Sequence, residues 1–334
     1  MRATLRELGL SLGRMRPGAA NSILDVHGLQ VGHLTLMAGD GPLKIGEGPV
    51  RTGVTVIQPP GRAPWTGAVH VINGFGKTAG LMQIEELGTI EHPIWLTNTL
   101  SVGAVLDGYL AAVRDAARSD PGPWRNVVVA ECNDGYLNDL WGLHVRPHHV
   151  TAALSRLTDR SLDQGGVGAG TGMAGFGYKG GIGSASRILS GGHTLAALVL
   201  LNCGRKEELL FNGRYVARGA DPPTPDGSII MVLAGDGGLD AWSLRRVARR
   251  ATHGLARTGA TSAPGSGDVV VAIDVAERAR HAEETLAEWF QAAAEVVEEA
   301  IWNALLTAET LEGRDGNVLH ALDIDPVLAA ARRS

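Results

Sequence analysis

The sequence predicts an α/β fold built from sheets that are covered on both faces. Three observations carry this. Six short apolar runs are bounded by turn residues. Their apolar stretches lack clean alternation, the pattern of strands buried on both sides. Three longer segments between and after them place apolar residues at helical spacing.

In chain order the strand-like runs are residues 53–58 (GVTVIQ), 67–74 (GAVHVING), 126–132 (NVVVAEC), 194–204 (TLAALVLLNCG), 228–235 (SIIMVLAG) and 267–274 (GDVVVAID). The helical segments are residues 101–119, 240–258 and 282–310. The second sets Leu, Val and Ala on one side and Arg on the other. The third opens on acidic residues, which suit a helix N-terminus. Its apolar face runs through Leu286, Phe290, Ala293, Val297, Ile301 and Leu305. Strands and helices alternate without βαβ regularity, and no repeat or interdomain linker stands out. Residues 213–227 are the most linker-like, yet they feed directly into a buried strand. That predicts an exposed loop inside one domain spanning 1–334.

The composition is that of an ordinary globular chain: 334 residues, 44% hydrophobic, 19% charged, net charge −5. With both signs mixed along the chain, nothing points to nucleic acid or a membrane surface as partner. The N-terminus carries Arg throughout and has no apolar core of a secretory leader. No run reaches the ~18 apolar residues of a spanning helix. The expectation is a cytoplasmic protein. Cys132 and Cys203 each end an apolar run outside any metal-ligand spacing, and read as buried, reduced thiols.

Several motifs lead away from function. Gly170, Gly172 and Gly175 satisfy GxGxxG, but more glycines follow where a Rossmann helix would start, and no acid stands at the required distance. The glycine-rich stretch 165–186 reads instead as a hairpin or loop packed close to backbone, and its Lys179 as a solvated loop lysine. His144, His148 and His149 lack a metal pattern, since Pro147 stands between the first two. They read as surface or helix-start residues. No serine has the strand–GxSxG–helix setting of a nucleophile elbow.

The informative point is the bond between Gly227 and Ser228. Pro223, Pro225, Asp226 and Gly227 hold the chain irregular, and Ser228 opens the apolar run. A serine at a strand start is ordinarily structural. Three features argue otherwise. Gly227 has no side chain to obstruct attack on its carbonyl. The prolines stiffen the approach. Ser266 and Asp268 flank Gly267 at the mouth of another strand, where period 2 sets both side chains on one face. A hydroxyl beside a carboxylate is what an activated nucleophile needs near it. Together these suggest self-cleavage. Ser228 Oγ attacks the Gly227 carbonyl, an N→O acyl shift gives an ester, and water hydrolyses it. The new α-amine of Ser228, with an ordinary pKa of about 7.7–8.0, then serves as base for its own hydroxyl.

The blocks DGSIIMVLAGDGGL, GSGDVVVAID, AECNDGYLND and GVGAGTGMAGFGYKGGIGSASR, taken in their order, resemble the L-aminopeptidase/D-esterase family, the β-peptidyl aminopeptidases. The resemblance runs from about residue 16 to the C-terminal region. It implies a four-layer αββα sandwich, similar to N-terminal nucleophile hydrolases but differently connected. It implies a precursor cut between Gly227 and Ser228 into chains 1–227 and 228–334, which stay together in a homo-oligomer, usually a tetramer. It assigns Ser228 as nucleophile, with Ser266 and Asp268 in support. Many relatives have Glu in place of Asp268, and the shorter arm bears on how the nucleophile is oriented. Asn202 and Tyr136 match the family's oxyanion stabilisers; read alone, the first is a strand-end turn residue and the second a buried phenol. An aminopeptidase must also hold a free ammonium, and Glu131 or Asp134 flank the Tyr136 motif, Glu131 being the better placed. The implied activity is release of N-terminal α- or β-amino acids from short peptides, amides or esters, without metal or organic cofactor. Two other readings remain at this point: an acyl transferase similar to ornithine acetyltransferase, and a binding protein that never cuts itself.

Overall fold

The computed structural model describes residues 2–119, 126–216, 227–277 and 286–332. Ten strands form two sheets. One has four strands: β1 (Gln30–Ala38), β2 (Val50–Gln58), β5 (Ile94–Asn98) and β6 (Val128–Cys132), in the order β1-β2-β5-β6. The other has six: β3 (Trp65–Gly74), β4 (Thr89–Ile90), β7 (Gly181–Ile188), β8 (Thr194–Asn202), β9 (Ser228–Gly235) and β10 (Gly267–Asp274), in the order β4-β3-β10-β9-β8-β7. Most neighbours are antiparallel, but β9–β10 and β5–β6 run parallel.

Strand alternation divides the apolar side chains between layers. On β8, Ala196, Leu198 and Leu200 face the other sheet, joined there by Ile230, Val232 and Ala234 of β9 and Val269, Val271 and Ile273 of β10. Their partners from the four-stranded sheet include Ile57, Leu96, Val128 and Ala130. The odd residues of β8, Ala197, Val199 and Leu201, face the opposite way with Ile229, Met231 and Leu233. Two helices cover them, α4 (Ala241–Arg257) and α5 (Leu286–Thr307). A short helix, α1 (Leu81–Leu87), lies between β3 and β4, and the outer face of the four-stranded sheet is covered by α2 (Val102–Ser119) and α3 (Pro147–Leu154), through Val105, Tyr109, Val150 and Ala153 against Val54, Val56 and Trp95. The result is four layers: helix, sheet, sheet, helix. Each sheet is apolar on both faces because both are covered.

The six expected strands and three expected helices are present, within a few residues at their ends. Leu286, Ala293, Val297, Ile301 and Leu305 of α5 lie in the core, and Phe290 packs at its edge. The start of that helix segment, 282–285, and the proline-rich segment 217–226 with Pro223, Pro225 and Asp226 lie outside the described residues. Cys132 and Cys203 are free, buried thiols. Among the described residues no helix is long and apolar enough to cross a membrane.

Two expectations need correction. The glycine-rich stretch does form a short hairpin, Ala174–Gly175 with Tyr178–Lys179, but its second half is the edge strand β7. Lys179 is not solvated. It is 1% exposed, and its Nζ donates to the carbonyls of Gly170, Met173 and Gly180 at 2.9, 3.1 and 2.7 Å. The histidines are as expected at a helix start, with Pro147 opening α3 and His149 Nδ1 accepting from the Arg146 amide. His144 does have a carboxylate partner, Asp139, at 2.8 Å.

Candidate active site

The site lies where three strand ends of the six-stranded sheet meet. β8 and β9 are antiparallel with Asn202 opposite Ser228. β9 and β10 are parallel with Ile229 opposite Asp268. The end of β8 and the starts of β9 and β10 therefore share one edge. Ser228 has the parity of Ile230 and Val232, and Asn202 that of Leu198 and Leu200. Both side chains belong to the face that looks across to the four-stranded sheet.

Ser228 is 7% exposed, and its Oγ accepts a hydrogen bond from the Gly267 amide at 3.0 Å. Sequence reading missed this donor, because a backbone N–H has no side-chain signature. Gly267 sits between Ser266 and Asp268, so the serine–carboxylate pair brackets the residue that touches Ser228. Ser266 Oγ donates to Asp268 Oδ1 at 2.5 Å, and the Ile229 amide donates to the same oxygen at 3.2 Å. The amide next to Ser228 is thus tied to Asp268. Burial raises the Asp268 pKa above the ordinary carboxylate value, against the hydrogen bonds from Ser266 and the Ile229 amide. Neither Ser266 nor Asp268 hydrogen-bonds Ser228 Oγ directly.

Asn202 is held at both ends of its carboxamide. Its Oδ1 accepts from the Ala174 amide at 2.7 Å, and its Nδ2 donates to the Asn133 carbonyl at 3.0 Å. Gly227 packs on the Asn202 backbone so closely that a Cβ there would lie 1.6 Å from the Asn202 carbonyl oxygen. Only glycine fits ahead of Ser228.

Glu131, 2% exposed, accepts from the Lys77 amide at 2.8 Å and from Thr99 Oγ1. The segment it binds passes over the site. A Cβ on Gly76 would lie 3.7 Å from Glu131 Oε1 and 3.8 Å from the Gly267 Cα. That brings this carboxylate close to the residue that contacts Ser228. Asp134 is placed differently. It is wholly buried, accepts from Asn138 Nδ2 at 3.0 Å, and interacts electrostatically with Lys179. Burial lifts Asp134 to about 7, against the hydrogen bond from Asn138. Burial also pulls Lys179 down to about 7, while Asp134 acts to raise it. The lysine anchors Met173, next to the Ala174 amide that orients Asn202. Asp134 therefore belongs to the scaffold behind Asn202.

Tyr136 is half-buried, and its hydroxyl makes no hydrogen bond to a described residue. It shares a cavity of about 460 Å³ with Asn133, Asn202, Cys203, Trp141 and Arg314. A recess of about 30 Å³ also borders Cys203, lined by Gly227, Ser262 and Ser266. Among the described residues no cluster of His, Cys, Asp or Glu is arranged to hold a metal ion.

Residues 21–319 match the family model described as peptidase family S58. The chain belongs to that family. This S58 member is 36% identical to the β-peptidyl aminopeptidase BapA of Sphingosinicella microcystinivorans, over 95% of this chain and 89% of the relative. Among solved structures it superposes on the PH0078 protein of Pyrococcus horikoshii OT3 with a TM-score of 0.92 and 44% identity, covering 100% and 99% of the two chains. It superposes on the L-aminopeptidase D-Ala-esterase/amidase of Ochrobactrum anthropi with a TM-score of 0.91 and 33% identity, covering 99% and 98%. The latter is described as a prototype of the serine aminopeptidases and a variant of the N-terminal nucleophile hydrolase fold. The four-layer sandwich expected from the resemblance is the fold this S58 member has.

Proposed function

We propose that this S58 peptidase is a serine aminopeptidase that cuts its own chain between Gly227 and Ser228, and then releases N-terminal amino acids from short peptides, amides or esters. The observation that carries the reading is the strand register: Ser228 begins β9 opposite Asn202 and beside the Gly267 amide. A hydroxyl, a backbone N–H and a carboxamide then converge on one edge of one sheet.

In this reading Ser228 Oγ attacks the Gly227 carbonyl and the resulting ester is hydrolysed. The freed α-amine of Ser228 accepts the hydroxyl proton in later turnovers. Asp268 and Ser266 set the position of the backbone around the nucleophile. Asn202 Nδ2 and the Tyr136 hydroxyl supply hydrogen bonds to the developing oxyanion, a contribution often near ~3 kcal/mol per donor. Glu131 holds the substrate ammonium by a charge-assisted hydrogen bond. The two pieces stay together, and the assembly is a homo-oligomer, a tetramer by resemblance.

Intact-mass measurement with N-terminal sequencing tests the cut. The expected result is two pieces, the second beginning at Ser228, and hydrolysis of aminoacyl p-nitroanilides of α or β type. An active preparation with one uncut chain would overturn the reading.

Asp268 sets an expected pH dependence. Its folded pKa is raised, so it protonates at higher pH than a free aspartate. Activity that needs the carboxylate is then lost as pH falls through that raised value. Stability runs the other way: a raised folded value contributes stability below the unfolded pKa, which is lost as pH rises through the folded one. At neutral pH the buried carboxylate thus costs stability. Asp268→Asn is expected to lower kcat, leave the acid limb set by the Ser228 α-amine but remove the further loss that Asp268 protonation adds at lower pH, and leave the melting temperature equal or higher. A lower melting temperature with an unchanged profile would contradict this role.

A further inference from the structure

We infer that Arg314 recognises the free carboxylate of the leaving part of the substrate, so that the preferred substrates are short peptide acids rather than their amides. This rests on the aminopeptidase reading above. Residues Gly313–Asn317 lie between two short paired strands, Leu311–Glu312 and Val318–Leu319, and pack on the turn that carries Tyr136. Three successive carbonyls of that turn accept from this one segment. The Gly135 carbonyl accepts from Arg314 Nε at 2.7 Å, that of Tyr136 from Asn317 Nδ2 at 2.9 Å, and that of Leu137 from the Arg314 amide at 2.9 Å. The guanidinium is therefore fixed rather than swinging in solvent.

Its remaining donors point to a ligand. Nη1 donates to Asp315 Oδ2 at 2.9 Å, while Nη2 makes no hydrogen bond to a described residue. Arg314 lines the cavity that also contains Asn202 and Tyr136, and it is the only cation among the described residues lining it. The cavity's acid, Asp139, is turned to other partners. Asp139 is 1% exposed and accepts from the Gly142 amide, His144 Nε2 and the Gly46 amide at 3.0, 2.8 and 2.7 Å. Asp315 accepts from the Leu43 amide through its other oxygen. Leu43, Leu140 and Trp141 supply the apolar wall, with Trp141 70% exposed. A fixed guanidinium with free N–H groups beside apolar walls suits a carboxylate. Glu131 does not line this cavity, so the substrate's ammonium and carboxylate have separate sites.

The test compares kcat/KM for alanyl-alanine and β-alanyl-alanine with that for their C-terminal amides. The unmodified protein is expected to favour the acids about tenfold, through KM, as one partly exposed charged hydrogen bond allows. Arg314→Met is expected to bring the acid-to-amide ratio near one. Asn317→Ala removes another bond to the Tyr136 turn but keeps the cation. It is expected to lower activity on both substrates alike and leave the ratio intact. If Arg314→Met is insoluble, Arg314→Lys, which keeps charge but not the fork, is expected to reduce the ratio partway. A ratio near one in the unmodified protein, or one unmoved by the Arg314 variants, overturns the inference while leaving the aminopeptidase reading standing. Hydrolysis of none of the four substrates or any aminoacyl p-nitroanilide overturns both.

Discussion

Ser228→Ala is expected to abolish both the chain cut and the amidase activity while leaving the fold in place. The side chain is nearly buried and makes one hydrogen bond, as acceptor from the Gly267 amide. Replacing the hydroxyl with hydrogen at Cβ leaves that amide without its partner, at a cost of roughly 1–3 kcal/mol. A chain of 334 residues with three apolar layers tolerates that. The chemistry has no such margin, because no other atom of residue 228 can attack the Gly227 carbonyl. Loss of the nucleophile in a serine protease costs about 10⁴-fold or more in kcat. Denaturing electrophoresis is expected to show one band in place of pieces of residues 1–227 and 228–334, with an unchanged far-ultraviolet dichroism spectrum. Two bands, or residual turnover within tenfold of the unmodified protein, would remove Ser228 from its proposed role.

The second large effect is expected at Arg187, well away from the site. This side chain is fully buried in β7. Its Nε donates to Glu295 at 2.8 Å and its Nη2 to Glu299 at 2.7 Å, both on α5. Its other donors reach the carbonyls of Ser186 and Leu12, each at 2.8 Å. Arg6 also binds Glu299, at 2.9 Å, and the amides of Arg14 and Met15 bind Glu295. This network joins the N-terminal arm and β7 to a helix beyond the proposed cut, so it also holds the two pieces together. Arg187→Met would leave two buried carboxylates short of a partner, a change typically worth about 3–5 kcal/mol. In a chain of this size that is roughly 4–7 °C in melting temperature. The pH dependence gives a second readout. Burial alone would raise Glu295 and Glu299, but their hydrogen bonds and the Arg charges hold both below the ordinary value. In the unmodified protein that stability is present above the unfolded pKa, near 4.5, and is lost as pH falls through the lowered folded values. In the variant both carboxylates rise, so the deficit is expected to shrink as pH falls toward 5 and the acids protonate. A melting temperature equal to that of the unmodified protein at pH 7 would show that the network contributes little.

The strands that read clearly from sequence are those whose burial is complete. β8, β9 and β10 sit inside the larger sheet with a covered face on each side, so their residues are uniformly apolar and their limits come out nearly to the residue. β7 did not read as a strand. Gly181, Gly183, Ser184 and Ser186 have low strand propensity. They are used here because α5 lies directly on the strand: a Cβ at Gly183 would stand 2.0 Å from the Ala300 carbonyl oxygen. β1 and β5 were also missed, the first half-exposed toward its end and the second only five residues long. Lys179 was misjudged for a similar reason. Its three carbonyl partners come from residues that only the folded turn brings together.

Local sequence determined the apolar strands, the helices α2, α4 and α5, and the junction at Gly227–Ser228. Each of these depends on residues adjacent in the chain, where turn chemistry, propensity and periodicity act. It also carried the pairing of Ser266 with Asp268, which needs only the two-residue period of one strand. Tertiary structure alone decided the parallel register of β9 and β10, which sets the Gly267 amide against Ser228. It alone turned Asn202 by bonds to Ala174 and Asn133. The physical reason is that these contacts join segments 28 to 69 residues apart. Their geometry comes from packing two doubly covered sheets face to face, a constraint that no short stretch of chain contains.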